Sequence, residues 1–143
     1  MDFCFGNLTF EQVRSFLGET DKEFEHPLSE KVDIEEYALK LSQYSSFSYC
    51  VEQGEMIGMI SCYTNRPPVG YISNVCVKYQ YHGLGVFNSM FERLKEECVN
   101  LGINIIRLEV DNDNYVAQLV YLKNGFCAVG NGKARSKYME CLL

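Results

Sequence analysis

The stretch from Val75 to Leu101 constrains the fold of this chain more than any other part of the sequence. A β-type apolar segment ends at Val77, and a turn that contains Gly83 and Gly85 follows it. Apolar residues then recur with a helical period, at Val86, Phe87, Met90, Phe91, Leu94, Cys98 and Leu101. A strand therefore leads through a glycine turn into the positive end of a helix, a geometry that binds an anion, most often a phosphate.

The spacing of the turn residues distinguishes between the common phosphate-binding motifs. A Walker-type loop, G-x-x-x-x-G-K-[ST], is absent, and the dinucleotide fingerprint G-x-G-x-x-G fails because its third glycine position is Asn88. The chain has Q-x-x-G-x-G instead, formed by Gln80, Gly83 and Gly85. This pattern resembles the pyrophosphate loop of the GNAT superfamily, the acyl-CoA-dependent N-acetyltransferases. On its own, the pattern also fits two glycines that only form a tight turn.

A second motif downstream makes the resemblance more specific. In the second half of the family's domain, a strand that ends L-x-V is followed by N-x-x-A-x-x-x-Y and then by G-F. This chain matches those positions with Leu108, Val110, Asn114, Ala117, Tyr121, Gly125 and Phe126. The resemblance covers roughly residues 55 to 126, and it is to the small, single-domain bacterial members of the superfamily.

The resemblance implies an acyl-CoA donor, with acetyl-CoA as the default, and a set of residues that contact it. Backbone N–H groups of the turn would hold the pyrophosphate, because glycine lets the backbone approach closely. The strand before the turn would pair with the pantetheine amides through its main chain. By position, the cofactor-binding residues are Val75, Cys76, Val77, Gln80, Tyr81, His82, Gly83, Leu84, Gly85, Val86, Asn114 and Ala117. His82 would contact a phosphate or simply face solvent.

Tyr121 is the predicted general acid. Thioester aminolysis expels a thiolate, and a tyrosine hydroxyl with a reference pKa of ~10 can donate to a thiolate whose thiol has a pKa of ~8.5. Asn114 and Tyr121 are seven residues apart, so they share one helix face, and the small Ala117 between them leaves room for the cofactor. The alternative is that Tyr121 is only an amphipathic core aromatic.

Glu109 is the predicted general base. Many family members use a glutamate in the strand that here runs from Val69 to Val77, but this segment has no carboxylate. Glu109 lies 12 residues before Tyr121, which resembles the branch that acetylates the N-termini of ribosomal proteins. The alternative is a strand-end glutamate that faces solvent or pairs with Arg107 or Lys123.

Other sources of a base stay open. Glu25 and His26 lie in a polar loop that would cover the acceptor pocket, and a chain of water molecules without a dedicated base would also serve. The resemblance implies direct transfer in a ternary complex, so no cysteine needs a catalytic role.

Composition limits the class of protein and its partners. A chain of 143 residues with 47% apolar residues fits a single acetyltransferase domain over residues 1–143 with a substantial core. The net charge of −6 argues against nucleic acid as a partner. No apolar run approaches the ~20 residues of a membrane span, and no signal peptide is recognisable. Seven cysteines without a C-x-x-C pair, and only two histidines, indicate reduced thiols, no metal site and a cytoplasmic protein.

The element pattern predicts an α/β fold: a mixed, mostly antiparallel sheet of six to seven strands flanked by about four helices. A first helix is expected to end at Gly18, and a turn is expected at Gly130-Asn131-Gly132. The acceptor would be a small-molecule amine or a peptide amine, which the acidic segment from Glu19 to Glu36 would attract. Homodimers are common in the family.

Two alternatives to an acetyltransferase remain. One is a module of the same fold that binds acyl-CoA as a sensor or a scaffold and does not catalyse acyl transfer. The absence of a carboxylate from Val69 to Val77 supports it. The other is an enzyme that uses a different acyl donor, such as a succinyl- or longer-chain CoA.

Overall fold

The computed structural model describes residues 1–23 and 27–143, which form four α-helices, two short 3₁₀ helices (Leu28–Glu30 and Tyr79–Tyr81) and seven strands. The helices are α1 (Phe10–Asp21), α2 (Ile34–Tyr44), α3 (Val86–Asn100) and α4 (Tyr115–Lys123). The strands are β1 (Asp2–Gly6), β2 (Ser46–Glu52), β3 (Glu55–Tyr63), β4 (Val69–Val77), β5 (Ile105–Asp111), β6 (Cys127–Asn131) and β7 (Ser136–Leu142). The seven strands form one sheet in the order β1-β2-β3-β4-β5-β7-β6, so the predicted fold class is confirmed.

All neighbouring strands pair antiparallel except β4 and β5, which pair parallel. This one parallel pair joins two antiparallel halves, β1 to β4 and β5 to β7. The connection between β4 and β5 contains the glycine turn and α3, as a parallel connection requires a long crossover. The helix and the turn are therefore placed at the junction of the two halves.

Two apolar clusters lie on opposite faces of the sheet. The first lies under α3 and α4 and includes Met90, Phe91, Leu94, Ile106, Leu108 and Phe126. The second lies under α1 and α2 and includes Val13, Phe16, Leu41, Phe47, Met59 and Cys76. Successive residues of a strand point to opposite faces, so each side chain of β4 and β5 can be assigned to the α1/α2 face or to the α3/α4 face.

Helix α3 lies close to β3 because Gly58 has no side chain. A Cβ atom at Gly58 would come within 3.1 Å of Met90 Sδ and Val86 Cγ1, tighter than ordinary van der Waals contact. Val86 is the first residue of α3 and is buried. The small residue in β3 therefore sets where the N-terminus of α3 lies, and with it the glycine turn.

The predicted end of the first helix at Gly18 is wrong. The helix begins with a capping box between Thr9 and Gln12, as its sequence favours, but it continues through Gly18 to Asp21. Thr20 is buried, and its hydroxyl donates to the Phe16 carbonyl (2.8 Å). Burial of the last turn against the sheet outweighs the modest cost of a glycine inside a helix.

The predicted turn at Gly130-Asn131-Gly132 also lies elsewhere, because β6 extends to Asn131 and the turn follows it. The Gly132 N–H donates to the Ser136 carbonyl (2.9 Å), and Arg135 takes a left-handed conformation with φ of 44°. The turn is shaped by contacts with β5 that local sequence does not reveal.

Three further observations concern membrane-spanning helices, metal-binding groups and cysteine thiols. None of the helices among the described residues has both the length and the apolar character needed to cross a bilayer. In residues 1–23 and 27–143, no group of three or more His, Cys, Asp or Glu side chains is arranged to hold a metal ion. All seven cysteines are free thiols, and five of them are buried.

Candidate active site

A gap between β4 and β5 forms the centre of the candidate site. The parallel pairing covers only Val69–Tyr71 with Ile105–Arg107, after which β4 continues to Val77 and β5 to Asp111. Beyond Tyr71, the edge of β4 that faces β5 has no strand partner, so its main-chain groups there can pair with a ligand. The gap connects the two faces of the sheet.

A β-bulge at Ser73 accompanies the divergence of the two strands. In the register with β3, Asn74 pairs with Ser61 and Ile72 with Cys62, which leaves Ser73 as an extra residue. The Ser73 carbonyl accepts a hydrogen bond from the Tyr37 hydroxyl of α2 (3.0 Å). Bulges turn a strand away from its neighbour and are frequent beside active sites, and here the bulge lies at the start of the unpaired part of β4.

The glycine turn at the α3/α4 side of this gap carries a row of unpaired backbone donors. Gly83 and Gly85 have φ values of 78° and 77°, a left-handed conformation that glycine adopts without strain. Gly85 is the N-cap of α3 and provides no side-chain cap. Among the hydrogen bonds of the described chain, none is donated by the backbone N–H groups of residues 83 to 88. These six groups and the helix dipole favour an anion.

The entry to the turn is held by acidic residues of α1, of the segment just after it and of β3. The Tyr79 N–H donates to Glu23 Oε1 (2.7 Å). Lys78, only 7% exposed, donates to Glu19 Oε2 (2.9 Å) and to the Glu55 carboxylate, and the Glu55 hydrogen bond is the largest of the causes that raise the pKa of Lys78. The sequence predicts only that the acidic segment from Glu19 to Glu36 attracts the acceptor, and its local pattern does not reveal this contact with Lys78.

His82 does not point toward the open part of the turn. Its Nε2 atom lies 2.7 Å from the Val77 carbonyl at the end of β4. The predicted cofactor residues from Gln80 to Gly85 are exposed except for Tyr81, which is half-buried. His82 therefore supports the shape of the turn, and the exposed backbone is what the turn presents.

Tyr121 lies on α4 against the α3/α4 core. Its ring contacts Phe87 and Phe126, with centroid distances of 5.6 Å to each. Burial raises the pKa of Tyr121 to about 12, and its hydroxyl makes no hydrogen bond to the rest of the described chain, which leaves a neutral donor without a partner. The interpretation of Tyr121 as a core aromatic is confirmed for its ring. The hydroxyl remains available, and its catalytic role stays a prediction.

The other predicted residues of α4 shape the same face. The Asn114 side chain accepts from the Ala117 N–H (3.2 Å) and caps the helix, a role that accounts for asparagine there. Ala117 packs at the edge of the α3/α4 core. A contact that the sequence did not reveal joins the two helices, because Asn124 Nδ2 donates to Asn88 Oδ1 (2.9 Å).

Glu109 lies on the other face of the sheet, toward α1 and α2. Its Oε2 atom accepts hydrogen bonds from the Ser136 hydroxyl and from the Lys133 N–H (2.9 Å). These two bonds, in that order, lower the pKa of Glu109. A Cβ atom at Gly132 would lie 2.6 Å from Oε2, so glycine is required where the turn wraps around the carboxylate. The Oε1 atom has no partner in residues 1–23 and 27–143.

The alternative pairing of Glu109 with Arg107 is not observed. Arg107 Nε donates to Glu140 Oε2 instead (2.7 Å). The other two candidate bases, Glu25 and His26, lie outside the described residues.

The family model for the acetyltransferase (GNAT) family matches residues 10–126. The chain belongs to this acetyltransferase family. The match covers most of the chain and includes the glycine turn, the gap between β4 and β5, and the α4 motif. The resemblance identified from the two sequence motifs is thereby confirmed. No curated protein matches the sequence.

Solved acetyltransferases share this fold over their whole length. The PaiA N-acetyltransferase from Thermoplasma acidophilum, in complex with coenzyme A, has a TM-score of 0.81 at 17% identity and covers 100% of both chains. Ard1 from Thermoplasma volcanium has a TM-score of 0.77 at 17% identity, over 100% of this chain and 99% of that one. A ribosomal-protein-alanine N-acetyltransferase from Brucella melitensis has a TM-score of 0.74 at 17% identity, over 98% of this chain and 99% of that one. At such identities the likeness establishes the fold alone.

The lowered pKa of Glu109 predicts a pH-dependent contribution to stability in this acetyltransferase. A carboxyl group whose pKa is lower in the folded than in the unfolded state stabilises the fold above its unfolded pKa, ~4.3 for glutamate. That contribution disappears as the pH falls through the folded pKa. Glu109→Gln should therefore reduce the urea midpoint at pH 7, and should reduce it by less at pH 3.

The matched control is Glu96→Gln, because Glu96 is an exposed glutamate of α3 to which no other described residue donates a hydrogen bond. It should leave the urea midpoint unchanged at both pH values. An equal loss for Glu109→Gln at pH 7 and pH 3 would contradict the assigned role of the carboxylate.

Proposed function

We propose that the protein transfers an acetyl group from acetyl-CoA to a primary amine by direct attack in a ternary complex. The observation that carries this proposal is the row of six unpaired backbone N–H groups, residues 83 to 88, beside the gap between β4 and β5. Coenzyme A has a pyrophosphate and a pantetheine chain with two amide groups. The backbone N–H groups of the turn are suited to the pyrophosphate, and the unpaired edge of β4 at the gap is suited to the amides. The CoA complex of the PaiA enzyme is in agreement.

The donor is proposed to enter from the α3/α4 side. Its pyrophosphate accepts hydrogen bonds from the turn at Gly83 and Gly85 and from the first turn of α3. Each anionic contact with a helix N-terminus contributes ~0.3–1 kcal/mol. The pantetheine arm then runs along the unpaired edge of β4, from Asn74 to Val77, and hydrogen bonds with its main chain, which leads the thioester into the gap.

Tyr121 is proposed to hydrogen bond to the thiolate as it leaves. With a pKa of about 12, the hydroxyl is neutral at pH values near 7. Full transfer of the proton to a thiolate, whose thiol has a pKa of ~8.5, would cost about 5 kcal/mol at ~1.4 kcal/mol for each pKa unit. The hydroxyl therefore stabilises the developing charge as a hydrogen-bond donor, and CoA takes its proton from the amine by way of solvent.

Glu109 is proposed to act on the amine from the α1/α2 side. Its unpaired Oε1 atom and its negative charge attract the ammonium form of the acceptor. Because its pKa is lowered, the carboxylate is a weak base for an alkylammonium of pKa near 10. Its role is to position the amine and to accept a hydrogen bond from the cationic nitrogen that forms on attack, while water removes the proton.

The second candidate function is an acyl-CoA-binding module with weak or no catalysis. The absence of a carboxylate from Val69 to Val77 and the lowered pKa of Glu109 favour it. The unpaired hydroxyl of Tyr121 favours the enzyme, since a binding module has no need of a donor beside the thioester.

Replacement of Tyr121 by phenylalanine distinguishes the two functions. It removes the hydroxyl and keeps the ring that packs on Phe87 and Phe126. We expect kcat for an amine acceptor to fall by about 100-fold or more, with the thermal stabilisation by CoA unchanged. The measurement is thiol release from acetyl-CoA over a panel of amines.

The control is Tyr44→Phe, at a tyrosine that is 61% exposed at the end of α2. It should leave kcat at the wild-type value. Equal rates for Tyr121→Phe and wild type, or no turnover by the wild type with any amine, would favour the binding module.

The chain is proposed to act as one domain, residues 1–143, in a reducing compartment such as the cytoplasm. One sheet takes strands from both ends of the chain, β1 and β7, and the thiols are unpaired. We also propose that two copies pair through β6. This edge strand is exposed at all five positions and carries no charged side chain, whereas protein edges are usually protected by charge or proline. Antiparallel pairing of β6 with its copy would bring no like charges together.

Light scattering tests this pairing. We expect the wild type to have the mass of two chains and Val129→Lys to have the mass of one chain, because the variant places a charge in the middle of β6. Val99→Lys, on the exposed side of α3 (58% exposed), is the control and should remain dimeric. A wild-type monomer, or a dimer that survives Val129→Lys, would contradict the proposal.

A further inference from the structure

A cavity of about 140 Å³ lies on the α1/α2 face, where the unpaired part of β4 meets the end of α1. Leu17, Leu28 and Cys76 form much of its apolar wall. It lies across β4 from the turn and Tyr121, so an acceptor in it would approach the thioester from the side opposite to the donor.

Asn74 lines this cavity and has an unpaired oxygen. Its Oδ1 atom is buried and has no hydrogen-bond partner among residues 1–23 and 27–143. The neighbouring Tyr37 hydroxyl donates to the Ser73 carbonyl (3.0 Å) and not to Asn74. The Asn74 oxygen is therefore left without a donor. A buried acceptor without a partner costs free energy, which a donor seated in the cavity would recover.

The other polar groups of the cavity are already engaged. The Thr20 hydroxyl donates to the Phe16 carbonyl (2.8 Å), and Asp21 Oδ1 accepts from the Ser29 N–H (3.0 Å). Lys31 pairs with Asp111 (3.4 Å). The cavity therefore contributes a carboxylate, that of Asp21, as well as an ammonium, that of Lys31, which already pairs with Asp111.

We propose that the acceptor is a primary amine with an uncharged body of about five or six heavy atoms, whose nitrogen donates to Asn74 Oδ1. This rests on the acetyltransferase function proposed above and names its substrate class. The size follows because a protein cavity of about 150 Å³ holds one benzene molecule. An amine that carries an α-carboxylate, such as a free amino acid, is expected to bind more weakly, because the like charge of the Asp21 carboxylate lines the same cavity.

Asn74 contributes to the reaction as well as to binding. The amine nitrogen forms a bond to the acetyl carbon, the carbon–sulfur bond breaks, and the sulfur of CoA ends with the proton that the nitrogen gives up to solvent. The nitrogen is cationic in the tetrahedral intermediate and keeps one hydrogen in the amide product. Its hydrogen bond to Asn74 therefore strengthens as charge develops.

Three acceptors of the proposed size test the class: isoamylamine, and the matched pair 2-aminobutyramide and 2-aminobutyrate, which differ only in the charge of one group. We expect isoamylamine and 2-aminobutyramide to be acetylated, and 2-aminobutyrate to have a kcat/KM lower by about 100-fold. Isoamylamine should also bind to the CoA-loaded protein by calorimetry. Equal use of 2-aminobutyrate would overturn the substrate class.

Asn74→Leu tests the residue, since it keeps the shape and removes the oxygen. We expect kcat/KM for isoamylamine to fall by about tenfold or more, with the KM for acetyl-CoA and the stabilisation by CoA unchanged. Asn104→Leu, at an exposed asparagine before β5, is the matched control. Asn74→Asp keeps an acceptor oxygen and should retain binding of isoamylamine, which provides a second test if the leucine variant does not fold.

The outcomes separate this inference from the function on which it rests. If CoA binds and amines are acetylated while Asn74→Leu leaves kcat/KM for isoamylamine unchanged, or while Asn74→Asp no longer binds isoamylamine, the role of Asn74 is overturned and the acetyltransferase stands. If CoA does not stabilise the wild type, the acetyltransferase proposal fails, and the acceptor class fails with it.

Discussion

The divergence of β4 from β5 after Tyr71 and Arg107 is the constraint on which the rest of the site depends. Three residue pairs hold the two strands together, and beyond them each strand follows its antiparallel partner, β3 or β7. Main-chain groups that would satisfy one another in a continuous sheet lose their strand partners there. Side chains bind the carbonyls of Ser73 and Val77, and the groups that remain unpaired depend on a ligand or water. The gap also joins the two faces, so a donor and an acceptor can meet from opposite sides.

The elements around the gap are placed by contacts distant in sequence. Gly58 lets α3 approach β3, the Lys78 pairs with Glu19 and Glu55 hold the entry to the turn, and Asn88 links α3 to α4. The tyrosine is kept neutral on one face, with its pKa raised to about 12 by burial. On the other face, two hydrogen bonds hold Glu109 and lower its pKa. Two ionisable groups whose pKa values are shifted in opposite directions thus lie on the two faces of the sheet.

Much of this arrangement is predictable from the sequence, and the remainder has a physical reason for being missed. The bounds of β3, β4 and α3, the Thr9 cap and the glycine turn follow from local pattern, because periodicity and turn residues act over short distances. The end of α1 was missed because burial of Thr20 outweighs the preference of a glycine, here Gly18, for the end of a helix. The unpaired oxygen of Asn74 and the ion pairs of Lys78 depend on which elements pack together, and one sequence contains no direct record of that.

The central claim is that the turn from Gly83 to Asn88 binds the pyrophosphate of CoA. Calorimetric titration and thermal unfolding with CoA should be compared for wild type, Gly85→Ala and Gly54→Ala. Both glycines have φ of 77° and open space around them, so alanine costs each variant a similar ~1–2 kcal/mol in stability. CoA at ~100 times its Kd should stabilise wild type and Gly54→Ala by ~2.7 kcal/mol and Gly85→Ala far less. Equal stabilisation of all three, or none of the wild type, would contradict the claim.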